Sequence, residues 1–465
     1  MMPQSFWNRR RFLSGSLSLA SAPLMFPGRA TAESADQGKA PHILLRPGTH
    51  QRGNIGDIAH TPGALRLFEQ HFPEARFSVW PVGISEESRA GLLRMFPEVR
   101  IVEGTLDEKG RPDSPELAEA WQSADLLLHG SAPGFKGRGY MRAWREASDK
   151  PYGIFGLTHD PLSGVNGAYP RGATLAGFRD AITNLPPDQM ARANRTLLDG
   201  ASFLFCRDSL TRLYYEGQNI QCPRIAFGPD TTFALRIRDD ERADAYLEKH
   251  GLEQDRFLCA IPRLRYTPYH LFPSWEREPT PGDLLKDTIN EETREKDHAK
   301  LRELIVRWVR ETGLKVLACP EMSYQVELSK RMLVDPLPDD VKSHVVWRDQ
   351  YWQPDEAASI YARAIAVASF ECHSPIIALT NGTPAMYLRQ PTDTIKGQMY
   401  HDIGVSDWTF EIDESEAADW LAPLLAIHAD PGAARARVSE VMAGIADIQK
   451  GMVKTVEQRL DDSAV

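Results

Sequence analysis

The sequence lacks three features, each of which would point to a common class of protein. After residue 32, no apolar run reaches the ~18 residues that a membrane-spanning helix needs, so no transmembrane span is expected in the mature chain. The cysteines contain no CxxC pair, so neither a zinc site nor a disulfide framework is expected. Basic residues are outnumbered, 54 against 64 acidic ones, and the formal net charge of −10 argues against a nucleic-acid partner. The five cysteines, of which the first two could still pair in an oxidising compartment, are Cys206, Cys222, Cys259, Cys319 and Cys372.

The N-terminus contains the parts of an export signal in their usual order. Three arginines at 9–11 precede a mildly apolar stretch of small residues, and 30–32 reads Ala-Thr-Ala, a small-x-small cleavage pattern. This arrangement resembles a twin-arginine signal peptide. We therefore expect a signal at 1–32, a linker at 33–40, and a mature protein that acts in the periplasm or cell envelope. It would stay cytoplasmic if the signal is not used.

Beyond the linker, apolar runs typical of buried strands alternate with helix-length amphipathic segments. This alternation indicates parallel strands joined by crossover helices. The pattern stops near residue 240 and restarts, which predicts two Rossmann-like α/β domains at 41–240 and 241–425, followed by a C-terminal helical segment at 426–465. Ligands of such sheets bind beyond the carboxyl ends of the strands, so the cleft between the domains is the expected site. The proline- and charge-rich segment 266–297 is interpreted as a loop.

The first predicted strand leads into the loop GNIGD. Gly53 and Gly56 would allow close approach to the backbone, and with Asn54 they are expected to line the substrate site. Asp57 is expected to cap the following helix, whose N-terminus would offer N–H groups to an anion. A strand, a glycine loop and a helix are also the ordinary connection of any α/β fold, so this segment alone leaves both interpretations open.

Four further segments extend this pattern along the chain. They read DLLLHGSAPGF, FLFCRDSLTRLYYEG, IAFGPDTTFAL and SFECHSPIIALTNGTPAMYL. Together with the GNIGD loop they resemble the polysaccharide pyruvyl transferase family over about residues 43–405. The resemblance implies a fold of two Rossmann-like domains facing across a cleft, as in GT-B enzymes. It also implies phosphoenolpyruvate as the donor, a glycan as the acceptor, and neither a further cofactor nor a metal.

The resemblance also implies roles for individual residues. Arg207 would bind the donor carboxylate or phosphate through its planar guanidinium, with a salt bridge to Asp208 or another acid as the structural alternative. His373 would protonate the donor methylene or stabilise its phosphate, with a core histidine as the alternative. Asp57 is a candidate base, and Asp230, a further candidate for the substrate site, is expected to orient the loop between the domains rather than to perform catalysis.

One position departs from the family pattern. Glu371 lies two residues before the histidine, where the family has arginine, and an anion there would repel an anionic donor. Arg263 and Arg265 could compensate, because strand alternation would place both on one face; a solvated strand end is the alternative. Lys396 is a further candidate anchor. We expect Glu371 to be turned away from the pocket or paired with a cation such as Arg263.

Three functions fit these observations. The first is a transferase that places a pyruvyl ketal on a cell-envelope glycan such as an exopolysaccharide. The second is a GT-B glycosyltransferase that uses a sugar nucleotide, in which Glu371 would hold the donor ribose. The third is an exported glycan-binding protein on a degenerate transferase scaffold. The sequence leaves the acceptor sugar and the oligomeric state open.

Overall fold

A computed structural model describes residues 40–162, 173–272 and 277–464. The predicted export signal at 1–32 lies outside these residues, as does all but the last residue of the predicted linker. Within the described chain, no helix combines the length and apolar character that crossing a membrane requires. The described cysteines are all buried and unpaired.

Seven short strands in the first half of the chain form one parallel sheet. They are β1 (His42–Arg46), β2 (Arg76–Val79), β3 (Arg100–Ile101), β4 (Leu126–His129), β5 (Tyr152–Leu157), β6 (Leu204–Cys206) and β7 (Ile225–Phe227). Their order in the sheet is β3-β2-β1-β4-β5-β6-β7, and the neighbours are parallel. β4 and β5 are buried along their whole length, which is why they read as continuous apolar runs rather than alternating ones.

Helices connect these strands and cover the sheet. They are α1 (Ile55–His71), α2 (Glu86–Met95), α3 (Pro115–Ser123), α4 (Arg138–Ala147), α5 (Leu175–Thr183), α6 (Arg192–Asp199) and α7 (Ser209–Gly217). Side chains that accept backbone N–H bonds mark several starts, such as Ser85 before α2, Ser114 before α3 and Asp208 before α7.

The second half repeats this architecture around a six-stranded parallel sheet. Its strands are β8 (Phe257–Ile261), β9 (Lys315–Ala318), β10 (Val345–Trp347), β11 (Ala366–Ser369), β12 (Ala385–Arg389) and β13 (Thr409–Glu411), in the order β10-β9-β8-β11-β12-β13. The helices are α8 (Asp240–His250), α9 (Pro281–Thr312), α10 (Gln325–Ser329), α11 (Asp339–Lys342), α12 (Pro354–Tyr361), α13 (His373–Thr380), α14 (Gln398–Asp402) and α15 (Ala417–Ala429).

The interpretation of 266–297 as a loop is wrong for its second part. Helix α9 begins at Pro281 and continues through that region. Thr280 and Asp283 form a capping box at its start, and Pro281 takes the first helical position, where a missing N–H costs nothing. The prolines and charges of this segment therefore mark a helix start rather than a loop.

The last helix, α16 (Pro431–Ala464), returns to the first half of the chain. Its Met452, Val453 and Val456 belong to the same apolar cluster as Ile43 and Phe155 of the first sheet. The structure thus confirms two parallel-sheet α/β halves of the GT-B type. The domain boundaries placed at 240 and 425 stay predictions.

Candidate active site

The two halves enclose a cavity of about 690 Å³ that is lined by residues from both. We call it the central cavity. Its lining includes the charged or titratable residues His129, Arg207, Arg263, Glu371, His373 and Lys396. His129 is the last residue of β4, and Arg207 follows β6 directly. The carboxyl ends of strands therefore meet here, as a doubly wound sheet predicts.

The GNIGD loop joins the two halves. The Ile55 N–H donates to the carbonyl of Glu321 (3.2 Å), and the Ser323 N–H donates to the carbonyl of Gly53 (3.1 Å). Between them, Asn54 and Met322 form an antiparallel bridge. The loop after β9 is thereby held against the start of α1.

The cap of α1 is Asn54, so the assignment of this role to Asp57 is wrong. Asn54 Oδ1 accepts hydrogen bonds from the N–H groups of Gly56 (2.8 Å) and Asp57 (3.3 Å). Asn54 directly precedes the helix, whereas Asp57 already lies in its first turn. With the Ile55 N–H bound to Glu321, the first N–H groups of α1 already have partners. The expected anion site at this helix start is therefore filled by the protein itself. Asp57 is half-buried and lines the central cavity.

Position 56 requires a glycine because the His373 ring packs against its backbone. A Cβ built on Gly56 would lie 2.1 Å from Cγ of the His373 ring, far inside contact distance. Gly56 is the second residue of α1 in one half, and His373 is the first residue of α13 in the other. The glycine thus allows the imidazole of α13 to pack directly against the start of α1.

We expect Gly56→Ala to lower activity by displacing the His373 ring. Crowding a packed site in this way costs about 1–3 kcal/mol, so the free energy of unfolding should fall by a similar amount. Urea titration and a rate measurement test both effects. Gly91→Ala is the matched control, because a Cβ at Gly91 in α2 meets nothing within 4 Å. An active, fully stable Gly56→Ala protein would contradict the observed packing.

His373 is held by a carboxylate from the loop after β9. Its Nδ1 lies 3.2 Å from Oε1 of Glu321, which follows β9. The other oxygen, Oε2, accepts the N–H (2.6 Å) and the hydroxyl (2.8 Å) of Ser374. Glu321 is fully buried, whereas His373 reaches the cavity wall. The ring is therefore fixed in orientation without being sealed in the core.

A second carboxylate lies on the other side of the ring. Asp230 Oδ2 is 3.7 Å from His373 Nε2 and 3.1 Å from His60 Nε2, and the two imidazole nitrogens are 3.1 Å apart. These three atoms have the spacing of a metal cluster. However, Arg207 Nη1 donates to the same Asp230 oxygen at 2.6 Å, and a divalent cation there would meet a guanidinium. The arrangement therefore favours a hydrogen-bonded network that shares protons.

The two carboxylates determine the charge of His373. Burial alone would lower the pKa of His373, but its contacts with Asp230 and Glu321 raise it well above the usual range. Burial alone would raise the pKa of Asp230, but His60 and Arg207 hold it well below the usual range. His373 consequently carries a proton at neutral pH, while both neighbouring carboxylates are ionised.

Arg207 pairs with Asp230 and not with the adjacent Asp208. Its Nη1 binds Asp230, and its Nε donates to Thr158 Oγ1 at 3.1 Å. Asp208 instead caps α7 by accepting the Thr211 N–H, and burial raises the pKa of its carboxyl to about 7. Nη2 of Arg207 has no hydrogen-bond partner among the described residues. This fully buried side chain belongs to the lining of the central cavity.

Asp230 has the orienting role that was expected, and it also takes part in the network. Its Oδ1 accepts the Thr232 N–H at 2.9 Å and so begins the short helix Thr231–Ala234. Its carbonyl accepts from Gln449 of α16 at 3.1 Å. Asp230 therefore connects the loop between the halves, the last helix and His373.

Glu371 is paired with Arg263, as expected. Its Oε1 lies 3.2 Å from Arg263 Nε and accepts from Gln325 Nε2 at 2.6 Å. Arg263 also forms an ion pair with Asp393, and Lys396 lies 3.3 Å from the same carboxylate. Burial raises the pKa of Glu371 to about 7, against the opposing effect of Arg263. Arg263, Glu371 and Lys396 thus form one charged wall of the cavity.

Arg265 does not join this wall, so its assignment to the substrate site is corrected. It forms a bidentate pair with Asp297 at 2.8 Å and a second pair with Asp413 at 2.7 Å. Strand β8 already ends at Ile261, so the alternation that would place Arg263 and Arg265 on one face does not extend to them.

A family model for polysaccharide pyruvyl transferases matches residues 54–390, which is more than half of the chain. The chain belongs to the polysaccharide pyruvyl transferase family. A search of curated proteins finds no sequence match.

Solved structures resemble the fold at low sequence identity. S. aureus MnaA, solved with UDP, is 10% identical with a TM-score of 0.52, and the match covers 90% of this chain and 97% of that one. A UDP-GlcNAc 2-epimerase from Neisseria meningitidis, bound to UDP-GlcNAc, is 12% identical with a TM-score of 0.49, covering 90% and 100%. At such identities the likeness concerns the fold alone.

Two residues of this pyruvyl transferase family member were missed in the sequence. His60 lies within α1, where a single histidine carries no signal of its own. Glu321 had a weak signal, because it follows a buried strand at the sheet edge where ligand groups gather, as Arg263 does. Both contact His373, which the sequence did identify.

Glu321→Gln tests how the carboxylate acts on His373. Without its charge the pKa of His373 should fall, so the proton is lost at a lower pH. Activity that requires this proton should then decline at lower pH than in the wild type, and by about tenfold or more at neutral pH. A pH–rate profile measures the shift. An unchanged profile would mean that Glu321 only supports the fold.

Proposed function

We propose that this protein transfers the pyruvyl group of phosphoenolpyruvate to two hydroxyls of a cell-envelope glycan, forming a cyclic ketal and releasing phosphate. One observation carries the proposal: His373 lies at the wall of the central cavity between Glu321 and Asp230, and these two carboxylates raise its pKa. Membership in the pyruvyl transferase family supports the reaction class.

The donor's two anionic groups match the cations of the cavity. Phosphoenolpyruvate carries a phosphate and a carboxylate, and Arg207, Arg263 and Lys396 all line the space beside His373. Arg207 can donate from Nη2, which has no partner within the described chain. Hydrogen bonds to an anion from a buried guanidinium are the stronger, charge-assisted kind.

The chemistry needs one acid and two departing protons. One glycan hydroxyl adds its oxygen to C2 of the donor, while His373 gives its proton to the methylene carbon C3, which becomes a methyl group. The bond from C2 to the phosphate oxygen then breaks with its electron pair, and the second hydroxyl adds to C2. One hydroxyl proton restores His373, and the other leaves with phosphate or solvent.

Glu371 makes donor binding depend on pH in this scheme. Below its pKa of about 7 the carboxyl is neutral and no longer competes with the donor for Nε of Arg263, while Asp393 keeps Nη1; above it the carboxylate competes. We therefore expect donor affinity to fall as pH rises through about 7, and Glu371→Gln to remove this step. The variant should bind up to about tenfold tighter than wild type near pH 8, and equally near pH 6.

Calorimetric titration with phosphoenolpyruvate at both pH values makes this comparison. The donor phosphate and His373 also titrate, but they do so in both proteins, so their effects cancel when the affinities of the wild type and the variant are compared at the same pH. Parallel pH dependence in the two proteins would show that Glu371 does not face the donor.

The sugar-nucleotide function gains no support from this geometry. There, Glu371 would hold a ribose with its carboxylate. Instead that group already binds Gln325 and pairs with Arg263. We place the reaction in the cell envelope because residues 1–32 resemble a twin-arginine signal.

A transfer assay tests the function. The purified protein is incubated with phosphoenolpyruvate and cell-envelope polysaccharide, and phosphate release is compared with formation of ketal methyl groups by NMR. Equal amounts of both products support the transferase. Polysaccharide binding without either product would identify a glycan-binding protein, and consumption of a sugar nucleotide would identify a glycosyltransferase.

A further inference from the structure

His129 presents an unused hydrogen-bond acceptor in the same cavity. It is the last residue of β4, is 1% exposed, and lines the central cavity. Its Nδ1 lies 2.6 Å from the carbonyl oxygen of Gly130. A carbonyl can only accept, so Nδ1 must carry the hydrogen, and the neutral ring keeps a bare lone pair on Nε2. Nε2 has no partner among the described residues.

Two glycines pack against the ring on either side of that nitrogen. A Cβ at Gly48 would lie 2.9 Å from His129 Cε1, and a Cβ at Gly137 would lie 2.6 Å from Cδ2. These are the two carbons that flank Nε2, and both glycines line the cavity. A side chain at either position would collide with this edge of the imidazole.

His129 and His373 are opposite in charge state. Burial lowers the pKa of His129 to about 4, with a further lowering by Arg46, so its ring is neutral at physiological pH. His373 is protonated for the reasons given above. The cavity lining therefore contains a protonated imidazole, which has no acceptor nitrogen, and a neutral imidazole whose Nε2 can only accept.

An unpartnered Nε2 is not by itself a site, as His298 shows. Its Nδ1 is also 2.6 Å from a backbone carbonyl, its Nε2 also lacks a partner in the described chain, and burial also lowers its pKa to about 4. However, it lies in α9 with its ring 5.6 Å from that of Phe370, and neither residue lines the central cavity. The cavity and the two glycines distinguish His129.

We propose that His129 Nε2 accepts the hydrogen bond of a glycan hydroxyl and so positions the acceptor for transfer. The anionic groups of the donor have no hydrogen to give, whereas a sugar hydroxyl does. The acceptor then lies against the wall formed by the first half of the chain, opposite Arg263 and Lys396. This assignment rests on the proposed function for the identity of the ligand.

Two variants separate the nitrogens of His129. His129→Asn retains a donor near the Nδ1 position and loses the acceptor, whereas His129→Gln places an amide oxygen near the Nε2 position. We expect His129→Asn to lower kcat/KM for the glycan by about tenfold or more, mainly through KM, and His129→Gln to recover most of it. Affinity for phosphoenolpyruvate should stay unchanged in both. His298→Asn is the control for loss of a similar buried imidazole.

The outcomes decide the assignment separately from the function. An unchanged glycan kcat/KM in His129→Asn overturns it, and so does an equal loss in His298→Asn or a matching loss of phosphoenolpyruvate affinity. If the wild type transfers nothing, the proposed function fails, and calorimetric titration with cell-envelope polysaccharide alone tests His129. Weaker binding by the asparagine variant, recovered by the glutamine variant, would still support the assignment; unchanged binding would overturn it.

Discussion

Replacing His373 by asparagine should lower the rate of pyruvyl transfer by about 10²–10⁴-fold, the usual contribution of a positioned acid. The side-chain amide reaches the Nδ1 position and keeps a donor for Glu321, but it has no proton to give to the donor. The buried carboxylates should tolerate the change, since Glu321 keeps Ser374 and Asp230 keeps Arg207.

Steady-state rates and urea unfolding measure the two effects of this substitution. In D₂O, the ketal methyl group formed by the wild type should contain one deuterium, because the proton on His373 exchanges with solvent before transfer. A His373→Asn protein that keeps its rate within a few-fold would remove His373 from the chemistry.

Replacing Arg207 by methionine should abolish donor binding. Loss of a buried charge-assisted contact costs about 2–5 kcal/mol, which moves the dissociation constant by about 30-fold to several thousand-fold. The change also leaves Asp230 without its guanidinium partner. Breaking a buried ion pair destabilises by about 3–5 kcal/mol, so the free energy of unfolding should fall too.

Arg265→Met is the matched control for this loss of stability. Arg265 is also buried and also bridges carboxylates, but it does not line the central cavity. Both variants should unfold at lower urea, whereas only Arg207→Met should lose phosphoenolpyruvate in calorimetry. Equal donor affinity in the two folded variants would contradict the assignment of Arg207.

The fold could be predicted because its signals are local. Apolar runs and amphipathic helices each occupy a short stretch, and their alternation requires parallel strands with crossovers. The start of helix α9 was still mistaken for a loop, because the capping pair Thr280 and Asp283 lies in a segment rich in prolines and charges. The N-cap of α1 is Asn54 and not Asp57. Both residue types are good N-caps, and the backbone geometry, which the sequence does not show, determines which of them precedes the helix.

The active site was only partly predictable because its contacts join distant elements. His373 and Arg207 followed from the motifs, and the pairing of Glu371 with Arg263 followed from charge. No local pattern shows that His60 of α1 and Glu321 after β9 meet the same imidazole. Gly56 indicated that some group lies close to the backbone at the start of α1. That this group is the His373 ring depends on the packing of the two halves, which no local pattern shows.

The proposed reaction depends most on a donor that carries phosphate and carboxylate in the central cavity. Calorimetric titration of the full-length protein with phosphoenolpyruvate, and separately with UDP-GlcNAc, tests this directly. We predict that phosphoenolpyruvate binds, that inorganic phosphate competes with it, and that Arg207→Met loses this binding while Arg265→Met retains it. Binding of UDP-GlcNAc in the absence of phosphoenolpyruvate binding would contradict the account.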